Sequence, residues 1–167
     1  IQNSYPRTDF SPDVAILVDT KSSYYLGSRL GQRLNIPLLN NLRDSLYRLG
    51  SSTGIYLMSD IFNENFPTAK AYIFLNAFHM NEKTSNKIKE KIHQKNKLAI
   101  WIWAPPIFNE QGENLNLAKE ITGLNFKIDK NAKAIANIRL TVKKRFAAEL
   151  KEFAEDHFGS TPYLSVD

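Results

Sequence analysis

Three polar side chains stand where short apolar runs stop. Asp19 closes Val14–Val18, Asp60 follows Ile55–Met58 through Ser59, and Asn76 follows Ala71–Leu75. Open α/β sheets bind ligands outside the carboxyl ends of their strands, so these residues are the first to test for chemistry. Two acids at such an edge can hold magnesium and accept a phosphoryl group, as in a receiver-type acidic pocket. That reaction also needs a neighbouring acid pair, a late lysine and an aspartate ending the third strand. Asn76 occupies that last position, so the phosphoryl acceptor is missing. The same three residues serve as caps of turns and helix N-termini, where short polar side chains satisfy backbone N–H groups. No second feature supports reading Asp19 and Asp60 as the carboxylate pair of a glycosidase.

The chain has no cysteine. That removes disulfides, zinc thiolate sites, iron–sulfur clusters and a thiol nucleophile together. An α/β enzyme with a strand-to-helix nucleophile would carry it just after Ile100-Trp101-Ile102, and Trp103-Ala104-Pro105-Pro106 stands there instead. None of these side chains attacks a carbonyl, and proline removes N–H donors that an oxyanion hole needs. The G-x-S-x-G turn is absent. Gly27-Ser28-Arg29-Leu30-Gly31 lacks the third glycine and the Lys-Ser/Thr pair of a phosphate loop. His79, His93 and His157 are far apart and show neither H-x-H nor H-x-E-x-H spacing, so no metal and no cofactor is expected. Only His79 follows a strand at the ligand-binding edge. His93 falls in a lysine-rich helix, and His157 near a helix end that favours a cation anyway.

The elements that would position these residues alternate. Val14–Val18 is apolar throughout and rich in β-branched residues, the pattern of a strand buried on both faces. Thr20–Tyr25 reads as a loop. Leu38, Leu39, Leu42, Leu46 and Leu49 form one helical face, with Pro37 in the first turn and Gly50 as the stop. Gly54–Met58 is the second strand, followed by about one turn between Asp60 and Phe66. Ala71–Leu75 is the third strand. Asn81 caps a helix whose apolar stripe, Ile88 and Ile92, is narrow. Leu98–Trp103 is the fourth strand, and Asn114–Ile121 a short helix ended by Gly123. Strands alternating with helices predict a three-layer α/β domain with a mostly parallel sheet. From Leu124 the texture changes. Phe126–Ile128 and Ile135–Val142 alternate around Lys130-Asn131, which predicts an antiparallel addition near the C-terminus. Phe146, Leu150 and Phe153 predict a helix over 145–157. The expected core comprises Ile16, Val18, Leu42, Leu46, Leu57, Ile73, Leu75, Ile100 and Ile102.

A length of 167 residues suits one core-forming domain. Residues are 43% hydrophobic and 23% charged, which excludes disordered and fibrous classes. No apolar run approaches the ~18 residues of a membrane span. The net charge is +5, concentrated in Lys83–Lys97 and Lys127–Lys151. Neither cluster has the interleaved aromatics of a single-strand binding surface, so nucleic acid is not the expected partner. Residues 1–12 read as a linker or arm, 13–123 as the α/β domain, and 124–167 as an antiparallel extension, a helix and the start of a following segment. The chain starts at Ile1 without an initiator Met and stops inside an alternating run, so a fragment of a larger protein is expected.

The order of the blocks resembles one family. V-A-I-L-V-D at Val14–Asp19 is followed by Ser23-Tyr24-Tyr25-Leu26, an L-x-x-L-x-x-x-L-Y-R-L-G run ending at Gly50, and I-Y-L-M-S-D-I-F at Ile55–Phe62. A-Y-I-F-L-N-A-F at Ala71–Phe78, L-A-I-W-I-W-A-P at Leu98–Pro105 and E-I-T-G at Glu120–Gly123 complete it. Over about two thirds of the chain this is similar to the β-galactosidase trimerisation domain, the middle domain of glycoside hydrolase family 42 and related proteins. The resemblance implies a flavodoxin-like fold, related to class I glutamine amidotransferases but without their triad. It also implies that the hydrolytic carboxylates lie on a separate barrel domain of the same chain, and that the intact protein is a trimer. Phe158-Gly159 and Pro162–Asp167 look like the onset of the next part of such proteins.

The expected function is therefore a non-catalytic accessory or oligomerisation domain of a β-galactosidase-like glycoside hydrolase. The alternative is a sugar-binding flavodoxin-like module using Asp19, Tyr24, Asp60, Asn76, His79 and Trp103, since aromatic faces with a few fixed polar groups suit a sugar. The expected interface is an exposed apolar patch on the same edge, formed by Tyr24, Tyr25, Leu26, Pro105, Ile107 and Phe108. It would face the hydrolase domain or a neighbouring subunit.

Overall fold

The computed structural model describes residues 11–26, 35–129 and 163–166. The chain divides into two compact units, residues 1–125 and 126–167. In the first unit, β1 (Val14–Val18), β2 (Thr53–Leu57), β3 (Ala71–Phe74) and β4 (Leu98–Trp101) form one parallel sheet in the order β2-β1-β3-β4. This is the order of the first four strands of a flavodoxin-like doubly wound sheet. Ile16 lies between Ile55 and Ile73, and Ile73 in turn pairs with Ile100. The inner strands β1 and β3 are apolar along their whole length, because both of their faces must be covered.

The period of two along each strand builds two cores. On one face Ala15, Leu17, Tyr72 and Phe74 pack with Met58, Ile61, Ile88, Ile92, Leu117 and Ile121. The last four come in pairs from α3 (Glu82–Lys91) with its C-cap Ile92, and from α4 (Leu115–Thr122). On the other face Ile16, Ile73 and Leu75 pack with Leu39, Leu42 and Leu46. Those leucines belong to a helical segment that opens as a π-type turn at Ile36–Asn41. It continues as α2 (Leu42–Leu46) and tightens to a 3₁₀ turn at Tyr47–Leu49. The result is the three-layer α/β arrangement expected from the sequence.

Three local readings change. Thr20–Tyr24 is not a loop but a helical turn, α1, with Asp19 as its N-cap. Leu57 is not core: it is 46% exposed, because it ends the edge strand β2 and has a strand neighbour on one side only. Val18, Leu42, Leu46, Ile100 and Ile102 pack on the second core while remaining half-buried. The opposite-face residues Leu17, Tyr72 and Phe74, absent from the expected core, are almost fully enclosed. Phe74 stacks on Trp101 with centroids 3.9 Å apart.

The narrow stripe of α3 leaves most of its surface to lysines, and these are used locally. Lys83 and Lys91 lie over the rings of Phe62 and Phe66 at 5.1 and 5.6 Å, and Lys97, beyond the helix, lies over Tyr72 at 5.7 Å. Lys87 and Lys89 pair with Glu90 and Glu120. A short hairpin of β5 (Phe108–Asn109) and β6 (Gly112–Glu113) precedes α4. In the second unit, β7 (Phe126–Asp129) pairs antiparallel with β8 (Tyr163–Val166). The antiparallel addition is present, and the segment expected to begin a following part supplies its second strand. The arm over residues 1–10, the Gly27–Gly31 stretch, the strand at 135–142, the helix at 145–157 and the basic run at 130–151 lie outside the described residues.

Gly50 sits at φ +73, where only glycine is unstrained, and so ends the 3₁₀ turn. Gly50→Ala should therefore lower stability by about 1 kcal/mol, read by urea unfolding. Ile88 has no exposed surface, so Ile88→Ala should cost about 2–5 kcal/mol in the same assay.

Candidate functional site

The carboxyl edge of the sheet is organised by two side chains holding each other's surroundings. Asn76, 1% exposed, follows β3. Its Oδ1 accepts from the Asp19 backbone N–H at 2.8 Å, and its Nδ2 donates to the Asp19 backbone carbonyl at 2.7 Å. Nδ2 also reaches Ser23 Oγ at 3.4 Å. A carboxamide is required because the position must accept and donate together; an aspartate offers only acceptors when ionised. This explains why Asn76 stands where a phosphoryl acceptor would be.

The Asp19 carboxylate is equally committed. Oδ1 accepts from Lys21 N–H at 3.1 Å, and Oδ2 from Ser22 N–H at 2.8 Å and Ser22 Oγ at 2.6 Å. Ser22 Oγ in turn accepts from the His79 backbone N–H at 3.0 Å. Serine, aspartate and histidine thus meet here, but not as a catalytic triad. The hydroxyl proton goes to the acid, the histidine contributes its main chain, and Ser22 is fully buried. Ser22 was not singled out in the sequence, although an N-cap acid followed by a polar residue three positions on is a recognisable helix start.

The remaining candidates are separated. Asp60 caps the 3₁₀ turn Met58–Phe62 by accepting from Leu57 N–H at 2.9 Å. Tyr24 is 86% exposed. Trp103 occupies a strained backbone position at φ +69, with Ala104 N–H bonded back to the Ile102 carbonyl at 2.9 Å. Its ring stands edge-on to Phe78 at 5.0 Å. A sharp turn therefore follows β4, with an indole at its centre.

The expected apolar patch divides. Tyr24 and Tyr25 are exposed and Leu26 half-buried. Pro105 and Ile107 are buried and cannot line an exposed patch. The N–H groups of Ile107 and Phe108 both bond the Phe78 carbonyl, which pulls this segment against β3's extension. Phe108 is half-buried and bridges in parallel to His79.

His79 is 5% exposed, and its ring stacks on Tyr25 with centroids 3.9 Å apart and planes 16° apart. Neither ring nitrogen has a hydrogen-bond partner among the described residues. Burial pushes its pKa below the usual histidine value; Asp19, Glu110 and the Asn109 backbone oppose that shift and Lys21 reinforces it. Beside the ring is a cavity of about 30 Å³, lined by Asp19, Lys21, His79, Thr84 and Glu110 among others. That volume suits one or two waters. A small-molecule site needs roughly ten times more. Among the described residues no three His, Cys, Asp or Glu gather as metal ligands, and no helix is long and apolar enough to cross a membrane.

No protein-family model matches the chain, and no curated protein matches it. Among solved structures it is similar to one described as the crystal structure of β-galactosidase from Bifidobacterium adolescentis, with a TM-score of 0.52 and 11% identity. The match covers 94% of this chain and 91% of that one. The two share a fold.

Asn76→Asp tests the edge. A carboxylate there faces the Asp19 backbone carbonyl where Nδ2 now donates, so its folded pKa rises above the ordinary ~3.9. The variant should be about 1–3 kcal/mol less stable than the parent at pH 7. The penalty grows as pH rises through the carboxyl range, so the gap in thermal midpoint should narrow toward pH 4.

Proposed function

We propose that the chain is a non-catalytic accessory and assembly domain of a β-galactosidase-like glycoside hydrolase, on an amidotransferase-like scaffold that lacks a nucleophile. The observation that carries this reading is the state of the carboxyl edge. Asp19, Asn76 and Ser22 are consumed by one another, Asp60 caps its own turn, and Trp103 occupies the tight turn after β4. The shared fold with a β-galactosidase chain supports the choice of parent enzyme. The partners are then a hydrolase domain of the same protein and further copies of it, assembled as a trimer. The exposed pair Tyr24-Tyr25 is the part of the edge best suited to meet them.

The second reading, a sugar-binding module, rests on the buried, unpartnered His79 beside a polar cavity. The small volume weighs against it.

Under the first reading, the chain hydrolyses neither nitrophenyl galactoside nor glutamine above background. A galactosidase rate abolished by Asp60→Asn overturns it. Titration with galactose or lactose, followed by tryptophan fluorescence, should give no saturable change. A saturable quench lost in Trp103→Phe favours the sugar-binding module instead. Sedimentation should show a monomer or weak oligomer, with association reduced by Tyr25→Ser. A tight trimer indifferent to Tyr24→Ser and Tyr25→Ser places the interface elsewhere.

A further inference from the structure

We propose that His79 is a proton-operated latch: as a neutral ring it holds Tyr25 against the sheet edge, and on protonation it releases it.

The geometry supplies each part. α1 is a single helical turn, so its C-terminal end has little helical structure of its own to hold it. Its N-terminal end is fixed by Asp19 and Ser22. Its C-terminal end, Tyr25, carries the stack on His79 and backbone bonds to its own turn. The imidazole is 5% exposed, but the ring that covers it is itself 57% exposed, so the cover is one ring thick.

A neutral imidazole without nitrogen partners behaves here as a flat apolar plate. An imidazolium in the same place is a covered charge whose nitrogens make no close hydrogen bond, with the Asn109 backbone in β5 as the polar group that favours it. The groups facing it are known. Asp19 precedes α1, Lys21 lies within it, and Glu110 lies between β5 and β6. Asn81 and Thr84, at the start of α3, line the adjoining cavity. Asp19 already accepts three hydrogen bonds and is held in place. Glu110 is exposed and free to respond. Lys21 repels the new charge. The cavity of about 30 Å³ gives water a place beside the ring. Protonation therefore favours turning the ring toward water and Glu110, and that movement breaks the stack. An imidazolium–phenol contact opposes the opening, but it is weaker than hydration or pairing of a covered ion. The lowered pKa of His79, caused first by burial, is the reciprocal of this preference. The latch is a property of the edge itself and does not depend on what the domain assembles with.

The test is a pH titration of this chain from 8 to 5, following imidazole and tyrosine ring signals by NMR. His79→Gln assigns the histidine and Tyr25→Phe the tyrosine. The expected result is a His79 midpoint below ~6.5, with the Tyr25 ring signals moving at the same midpoint. His79→Gln should abolish the movement of Tyr25, and His93→Gln should leave it. Because the folded pKa is the lower one, stability should be full above the ordinary histidine value and fall as pH drops toward the lowered value. His79→Gln should flatten that fall in thermal unfolding. If His79→Gln does not fold, Tyr25→Leu serves: loss of the ring cover should raise the His79 midpoint toward ~6.5. Tyr25 signals that stay constant through the His79 titration, or that follow His93, overturn the proposal. So does a His79 midpoint unchanged in Tyr25→Leu.

Discussion

The carboxyl edge depends on one pair of contacts, the Asn76 carboxamide bound to both backbone groups of Asp19. Those groups belong to the residue where β1 stops and α1 begins. Beyond the ladder they have no neighbouring strand to satisfy them, and both lie in a buried region. A buried donor or acceptor left alone costs more than a made bond returns. Asn76 settles both at once and so joins the ends of β1 and β3. With the Asp19 backbone held, its carboxylate is aimed at the N–H groups of α1. Ser22 is drawn in, and its hydroxyl takes the His79 main chain. The stack of Tyr25 on His79 closes the set.

That chain of contacts occupies most of the polar groups at the edge. The acid that could hold a metal caps a helix, and the serine that could attack is fully enclosed. The turn after β4 carries an indole. His79 is the exception, a titratable ring whose nitrogens make no close hydrogen bond among the described residues and on which Tyr25 stacks.

Much of the fold was legible because it rests on local patterns. Val14–Val18 and Ala71–Leu75 are too apolar for anything but strands covered on both faces. Asn81, Gly50 and Gly123 mark helix ends by their own chemistry. The expected core fell short for a definite reason. A strand buried on both faces gives no alternation to mark which side chains matter, so Ile16 and Ile73 were expected while Leu17 and Phe74 were not. Leu57 failed because exposure at a sheet edge depends on strand order, which no single strand encodes. At the site, the residue types and their placement after strands were readable. Their pairing was not: Asp19 and Asn76 meet across 57 positions. The burial of Pro105 and Ile107 likewise follows from bonds to Phe78, which appear only once β3 and β4 are adjacent.

The account makes the Asp19 backbone the most protected point of the edge. Native-state hydrogen exchange at the Asp19 amide measures this directly. The account predicts exchange only through global unfolding, with an opening free energy equal to that from denaturant, while the amides of Tyr24 and Tyr25 open far more easily. Exchange of the Asp19 amide through a local opening, at the same free energy as Tyr25, would contradict it.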